Sequence, residues 1–263
     1  MRNTSISDNN HYPQYCYFAS KNDEEFKNFK RNPIYNAILE HLNAEQGAAY
    51  LEFILNDYNF RLTDEQWEDI LLNDSLGNPR RFSYEFGNKI LTCSATTLRY
   101  TKVLMDIVAL FDVDKIKSVA EVGIGYGGQC RILMNLLQIE SYNLIDLPEV
   151  ILLAERFLTQ LDVAGDIRYI DGTHLYHDVP CDLLISNYAF AELAEPVQKI
   201  YFDKIVMHSK AGYMTWNSEM FSKQGLKVGY SAQEISSMIP GAKIIPEKPL
   251  TAPGNCIIVW GTK

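Results

Sequence analysis

Basic residues are in short supply: 24 Lys and Arg stand against 33 Asp and Glu, a net charge of −9. A protein that grips nucleic acid by neutralising phosphates needs the opposite balance, so nucleic acid is not an expected partner. Long apolar runs are absent too. No stretch reaches the ~20 residues needed to cross a bilayer, and the opening MRNTSISDNNHYPQY lacks the apolar centre of a secretory signal. Cysteine is sparse and scattered, at Cys16, Cys93, Cys130, Cys181 and Cys256, with no C-x-x-C spacing. An odd, dispersed set speaks for reduced thiols and against a disulfide frame or a zinc site. Internal repeats and low-complexity tracts are missing as well. Together these absences predict a cytoplasmic protein with no membrane partner.

What the chain does have is core material. Hydrophobic residues make up 47% of 263 positions, enough for one large domain or a domain with a sizeable appendage. Up to about residue 90 the texture is helical. EEFKNFKRNPIYNAILEHL spaces Phe26, Phe29, Ile34, Ile38, Leu39 and Leu42 at near-helical intervals, interrupted at Pro33. Tyr50, Leu51, Phe53 and Ile54 continue the pattern over 44–57. Thr63 and Gln66 form a capping box for a helix through Leu72. SLGNPRRFSYEFGNK has the composition of a loop. Ser94 then caps a longer helix expected over 95–111.

From residue 117 strands and helices alternate. KSVAEVG, YNLID, IRYIDG, CDLLISN and GYMTWNS read as strands; QCRILMNLLQ, PEVILLAERFLTQL and PVQKIYFDKIVMHS read as helices between them. This rhythm predicts a parallel sheet covered on both faces. The end of the chain breaks it. After a short helix at AQEISSMI, the strand-like AKIIPE and NCIIVWG are joined by too little chain for a parallel crossover, so they must pair antiparallel. A parallel sheet closed by an antiparallel hairpin is the arrangement of class I S-adenosylmethionine-dependent methyltransferases: seven strands, Rossmann-like. The predicted division is a helical region over 1–94, covering the site and a candidate for homodimer formation, and an α/β cofactor domain over 95–263.

The first strand runs into AEVGIGYGGQC, with four glycines between 123 and 128. Gly123, Gly125 and Gly128 spell the dinucleotide fingerprint G-x-G-x-x-G. Glu121, Gly123, Gly125 and Gly127 spell E-x-G-x-G-x-G. Strands two, three and four end in Asp146, Asp171 and Asn187, the polar rim a nucleoside crevice needs. Asp146 lies 18 residues after Gly128, close to the ~20 expected of a ribose-binding carboxylate, and fits either cofactor. Glu121 discriminates. That position packs beneath the turn and is normally apolar in dinucleotide folds, and a buried carboxylate without a partner is costly. The amino group of a methionine moiety, or loop amides, would supply one. S-adenosylmethionine is therefore the expected cofactor, ahead of a nicotinamide.

FKRNPIYNAILEH, TTLRY, AEVGIGYGGQCRIL, YNLIDLPEV, ISNYAFAEL and PGNCIIVWG carry a closer likeness. Over most of its length the chain resembles a bacterial family of sugar O-methyltransferases, thought to act in surface-polysaccharide gene clusters, on capsule or lipopolysaccharide. The resemblance implies methyl transfer to a sugar hydroxyl, and the sequence leaves open whether the acceptor is free, nucleotide-linked or polymeric. The chain departs from the family pattern at Ala252, where the family carries histidine before Pro-Gly-Asn.

On this reading Gly123, Gly125 and Gly127 line the cofactor, with Glu121, Tyr126 and Gln129 beside them. Asp146 takes the ribose, Leu147 packs on the adenine, and Asp171 faces the adenine amino group with Gly172 and Thr173 adding backbone contacts. Asn187 and Tyr188 face the sulfonium. SNYAF is not the N-P-P-Y motif of DNA amino-methylases. Glu192, about one turn beyond Tyr188, is the first candidate for general base, followed by His174 and His177 in THLYHD; His208 better complements a helix end. Thr97, Arg99 and Tyr100 face the substrate, and if that substrate is a nucleotide-linked or phosphorylated sugar, one or more of Arg80, Arg81, Arg99 and Lys102 meet its phosphates. Tyr84, Tyr126 and Tyr188 are candidates for stacking on a sugar face. No metal is expected, since Asp171, His174 and Asp178 make only a weak cluster. Two other readings stand: a nicotinamide-dependent oxidoreductase, and a catalytically silent binding subunit. Within the methyltransferase class, a phosphorylated small-molecule modification of the glycan is the alternative acceptor.

Overall fold

The computed structural model describes residues 11–86, 89–217 and 229–263. The first ten residues of the opening stretch, and Ser218 at the end of GYMTWNS, lie outside them. Among the described residues five α-helices come first: α1 (His11–Lys21), α2 (Asp23–Asn28), α3 (Pro33–Ile38), α4 (Ala44–Asn56) and α5 (Asp64–Leu71). Their starts follow local chemistry. Asn43 with Gln46 and Thr63 with Gln66 close reciprocal capping boxes, and Pro33 occupies the first turn of α3, where its missing N–H costs nothing.

The segment expected to be a loop holds a hairpin instead. β1 (Phe82–Phe86) pairs antiparallel with β2 (Lys89–Cys93), in the register Phe82 opposite Cys93. Tyr84, Leu91 and Cys93 point inward and are buried. Gly77, Asn78 and Pro79 are turn formers and dominate the composition, but the alternation over 82–93 has strand period.

Ser94 caps α6 (Ala95–Leu110) through its hydroxyl, which accepts from Thr97 N–H. The α/β part follows as β3 (Ser118–Val122), α7 (Gly128–Leu136), β4 (Ser141–Asp146), α8 (Pro148–Gln160), β5 (Asp166–Asp171), β6 (Cys181–Asn187), α9 (Glu195–Lys204), β7 (Ser209–Trp216), α10 (Ala232–Met238), β8 (Lys243–Pro246) and β9 (Cys256–Trp260). The seven-stranded sheet has the order β5-β4-β3-β6-β7-β9-β8. Pairing is parallel from β5 to β7, and β9 runs against both its neighbours. This is the class I methyltransferase topology that the terminal strands predicted.

Strand residues alternate between two buried clusters, one on each face. Val119, Leu183, Tyr213 and Ile257 join the cluster that takes in α6, α7, α8 and the N-terminal helices. Their neighbours Ala120, Leu184, Met214 and Ile258 join the cluster with α9 and α10. The N-terminal helices therefore share a core with one sheet face.

Candidate active site

Beyond β3 the chain builds the sheet outward to β4 and β5, then returns to add β6 and β7 on the other side. The carboxyl ends of β3, β4 and β6 consequently border a crevice, the place where open α/β sheets take ligands. A cavity of about 1010 Å³ lies there, at the top of the ~300–1,000 Å³ usual for small-molecule sites and roomy enough for two ligands.

Gly123 and Gly125 line one end of it. Both have positive φ, 79° and 54°. A Cβ on Gly123 would collide with Ala189, and one on Gly125 would come within 2.9 Å of Leu39 Cδ1. Asp146 borders the same end. Its Oδ2 accepts from Ile124 N–H at 2.8 Å and its Oδ1 from Leu147 N–H at 2.7 Å. These bonds tie the carboxylate to the glycine loop and to the start of α8, and each oxygen keeps acceptor capacity. Burial pushes its carboxyl up to about 6 against the pull of those amides.

Leu147, Gly172, Thr173 and His174 complete this end. Asp171 lies just behind, off the wall. It accepts from Thr173 N–H at 2.8 Å and from the Thr173 hydroxyl at 2.6 Å, and its Oδ2 is 2.9 Å from His174 Nδ1. Burial raises the Asp171 carboxyl, but the Thr173 and His174 hydrogen bonds outweigh it and hold the group below the usual carboxylate range. His174 is thus an oriented imidazole on the cavity wall.

Next to the glycine loop, the wall continues at the terminus of β6, the strand paired with β3. Both amide atoms of Asn187 are sealed from solvent without a hydrogen-bond partner among the described residues, and Asn187 borders the cavity. Tyr188 follows with φ 70°, a conformation L-residues adopt at some cost and mainly where the surroundings enforce it. The enforcing contact is its hydroxyl, which donates to Glu247 Oε1. Glu247 also accepts from Thr251 N–H at 2.9 Å and the Thr251 hydroxyl at 2.8 Å, and Asn255 donates to Thr251 at 2.8 Å. The connection between β8 and β9 is thereby held over the site, and Thr251, Ala252 and Asn255 line it. A histidine in place of Ala252 would face this cavity. Glu192 borders it too, and its Oε1 accepts from Asn217 at 3.1 Å.

Several predicted site residues lie elsewhere. Glu121 sits beneath the loop, 2% exposed, where the Tyr142 hydroxyl donates to it at 2.8 Å. Burial pushes its carboxyl up to about 8. Tyr126 is core: its ring packs on Phe157 at 4.7 Å and lies under Lys30 Nζ at 3.9 Å. Gly127 packs on Leu158, and Gln129 is fully buried with its amide donating to the Tyr100 carbonyl at 3.3 Å. Thr97 donates to Asp74 at 2.8 Å, and Arg81 donates to the Asp74 carbonyl. Tyr100 is buried against Tyr126, and Tyr84 packs under the hairpin. Each was placed by spacing along the chain, and spacing does not tell the cavity side of an element from its core side. Of the candidate sugar-stacking tyrosines, Tyr188 alone lines the cavity. Arg99 also lines it.

The wall includes residues sequence reasoning passed over. Tyr12 from α1, His41 and Leu42 after α3, Gln46 from α4, and Asn217, Thr251 and Asn255 all border the cavity. His41 and Asn255 lie in stretches that carry the family likeness, FKRNPIYNAILEH and PGNCIIVWG, but nothing in those stretches marked them as facing a cavity. Among the described residues no three His, Cys, Asp or Glu gather as a metal site, and Asp178 pairs with Lys204 at 2.9 Å. No described helix is long and apolar enough to cross a membrane.

No protein-family model matches the chain, and no curated protein matches it. Among solved structures it is similar to the mitomycin 7-O-methyltransferase, at 15% identity and a TM-score of 0.45, covering 63% of this chain and 56% of that one. It is also similar to an O-methyltransferase from neocarzinostatin biosynthesis, solved with S-adenosylmethionine and 2-hydroxy-5-methyl naphthoic acid, at 12% identity and a TM-score of 0.44. That match covers 64% of this chain and 58% of the other. The chain thus spans less than two thirds of either protein, and overlaps this partial carry no argument about activity.

Proposed function

We propose that the chain is an S-adenosylmethionine-dependent O-methyltransferase whose acceptor is a sugar hydroxyl, in the making of a bacterial surface polysaccharide. The observation that carries the reading is Asp146: a carboxylate at the end of β4, bonded to the glycine loop, on the wall of a cavity with room for two ligands. Asp146 would take the ribose hydroxyls, with Gly123 and Gly125 leaving space for the aminoacyl portion and Leu147 and Thr173 flanking the base. The cofactor would supply an electrophilic methyl group on a sulfonium. The residues of this chain would hold an acceptor hydroxyl in line with it, the main source of rate in such a displacement. Asn187 and Tyr188 are placed to orient that hydroxyl. Glu192, held by Asn217, and His174, held by Asp171, are the wall groups able to take its proton. The sugar itself rests on the sequence resemblance.

Calorimetric titration with S-adenosylhomocysteine and, in parallel, NADH tests the cofactor. Micromolar binding of S-adenosylhomocysteine is expected, lost in Asp146→Ala. Because burial raises the Asp146 carboxyl to about 6, affinity should fall as pH drops below that value and the acceptor oxygens take up a proton. NADH binding alone would move the oxidoreductase to the front; binding of neither would favour a silent subunit.

A further inference from the structure

Arg99 projects from the second turn of α6 into a place where a cation is hard to account for. Its Nε is sealed from solvent with no partner among the described residues, and its Nη2 donates to the Leu39 carbonyl at 3.2 Å. It makes no ion pair among the described residues, its guanidinium lies 5.8 Å from the Tyr100 ring centroid, and Arg99 borders the cavity. Charges of opposite sign stand nearby but are engaged or muted. Glu247 is occupied by Tyr188 and Thr251, and Glu192 accepts from Asn217. Glu40 is buried, and desolvation raises its carboxyl despite the Lys30 charge. The phenols of Tyr50, Tyr100 and Tyr188 and the Glu40 carboxyl surround the guanidinium and, against its desolvation, favour its charged form. A second potential cation, His41, lies on the same wall; burial and then the Arg99 charge keep its imidazole toward the neutral form. A desolvated, unpaired guanidinium is costly, and its planar fork matches a two-oxygen anion. Gln46 and the unpartnered amide of Asn187 border the cavity as additional donors.

We infer that Arg99, with His41 beside it, receives an anionic group of the acceptor, so that the molecule methylated carries a phosphate or carboxylate as well as its hydroxyl. The inference rests on the methyltransferase reading and narrows its substrate class. An incoming anion would complete the ion pair Arg99 lacks and draw His41 toward its protonated, doubly donating form. Leu39 stands beside both the glycine loop and Arg99: its side chain would meet a Cβ on Gly125, and its carbonyl accepts from Arg99.

The test is titration of inorganic phosphate, and separately of D-glucuronate, into protein saturated with S-adenosylhomocysteine. At least one should bind, and Arg99→Gln should weaken it by about tenfold or more, the effect of removing a charged hydrogen bond. Arg99→Lys, which keeps the charge and loses the fork, should fall between. The affinity for S-adenosylhomocysteine should stay within twofold of the parent in both variants. Phosphate binding would point to a phosphorylated or nucleotide-linked acceptor and glucuronate binding to a sugar acid. If neither binds the saturated wild-type protein, the inference fails. It fails also if either anion competes with S-adenosylhomocysteine, since Arg99 would then hold the carboxylate of the cofactor's amino-acid tail. That competition is read on wild-type protein and needs no variant to fold. Absence of S-adenosylhomocysteine binding would instead sink the methyltransferase reading, and this inference with it.

Discussion

Glu121 shows how a single residue can be informative for one reason and act for another. An acidic side chain two positions before the first glycine argues against a dinucleotide fold, and in the folded chain it accepts a hydrogen bond from the buried Tyr142 hydroxyl. Burial raises its carboxyl to about 8, from an ordinary 4.5. Between those values the folded protein holds a proton that the unfolded chain has released. Stability must therefore fall as pH rises through this window, by up to about 1.4 kcal/mol for each pH unit. Glu121→Gln keeps a carbonyl for the Tyr142 hydroxyl and removes the titration. Chemical denaturation at pH 5 and pH 8 should show the wild type losing stability across the interval and the variant losing markedly less. Equal slopes would mean Glu121 is already ionised in the fold.

Among elements, the glycine loop and the turn before β8 make a useful contrast. Gly123 and Gly241 both have positive φ, 79° and 74°. A Cβ at Gly123 would run into Ala189, while one at Gly241 meets nothing within 4 Å. Gly241→Ala should then cost only backbone strain, about 1 kcal/mol by denaturation, and leave S-adenosylhomocysteine binding unchanged. Gly123→Ala should displace the 189–192 turn from the end of β6 and abolish that binding. Similar behaviour of the two variants would show that the loop's fit to its neighbours is not what the site requires. Elements whose period and caps agree, such as α5, α6 and α8, were legible in the chain. The β1–β2 hairpin was not, because turn-forming residues at 77–79 masked a five-residue alternation.

For the molecule as a whole, the open question is whether 1–94 is a separate unit. Buried residues from Tyr12 to Val259 belong to one cluster. Arg156 on α8 donates to the carbonyl groups of Ala19 and Ser20 at the end of α1, at 3.3 and 3.1 Å, and its guanidinium lies 4.2 Å from the Phe26 ring centroid. Such continuity predicts cooperative melting. Calorimetry of the full chain should give one transition, with calorimetric and van't Hoff enthalpies in agreement. Two resolved transitions would make the helical region a domain in its own right.

The alternation of strands and helices after residue 117, the antiparallel close of the sheet and the carboxylate at the end of β4 were determined by the sequence alone. Each follows from short-range rules: side-chain period, capping, and the minimum length of a crossover. Which side chains meet in the cavity was decided only by tertiary structure. Arg99 and Thr97 are two residues apart on one helix, yet one borders the cavity and the other bonds Asp74 in the core. Tyr188 meets Glu247 across 59 positions. Local pattern carries no term for such encounters, because they arise when separate elements pack against one sheet and enclose the space between them.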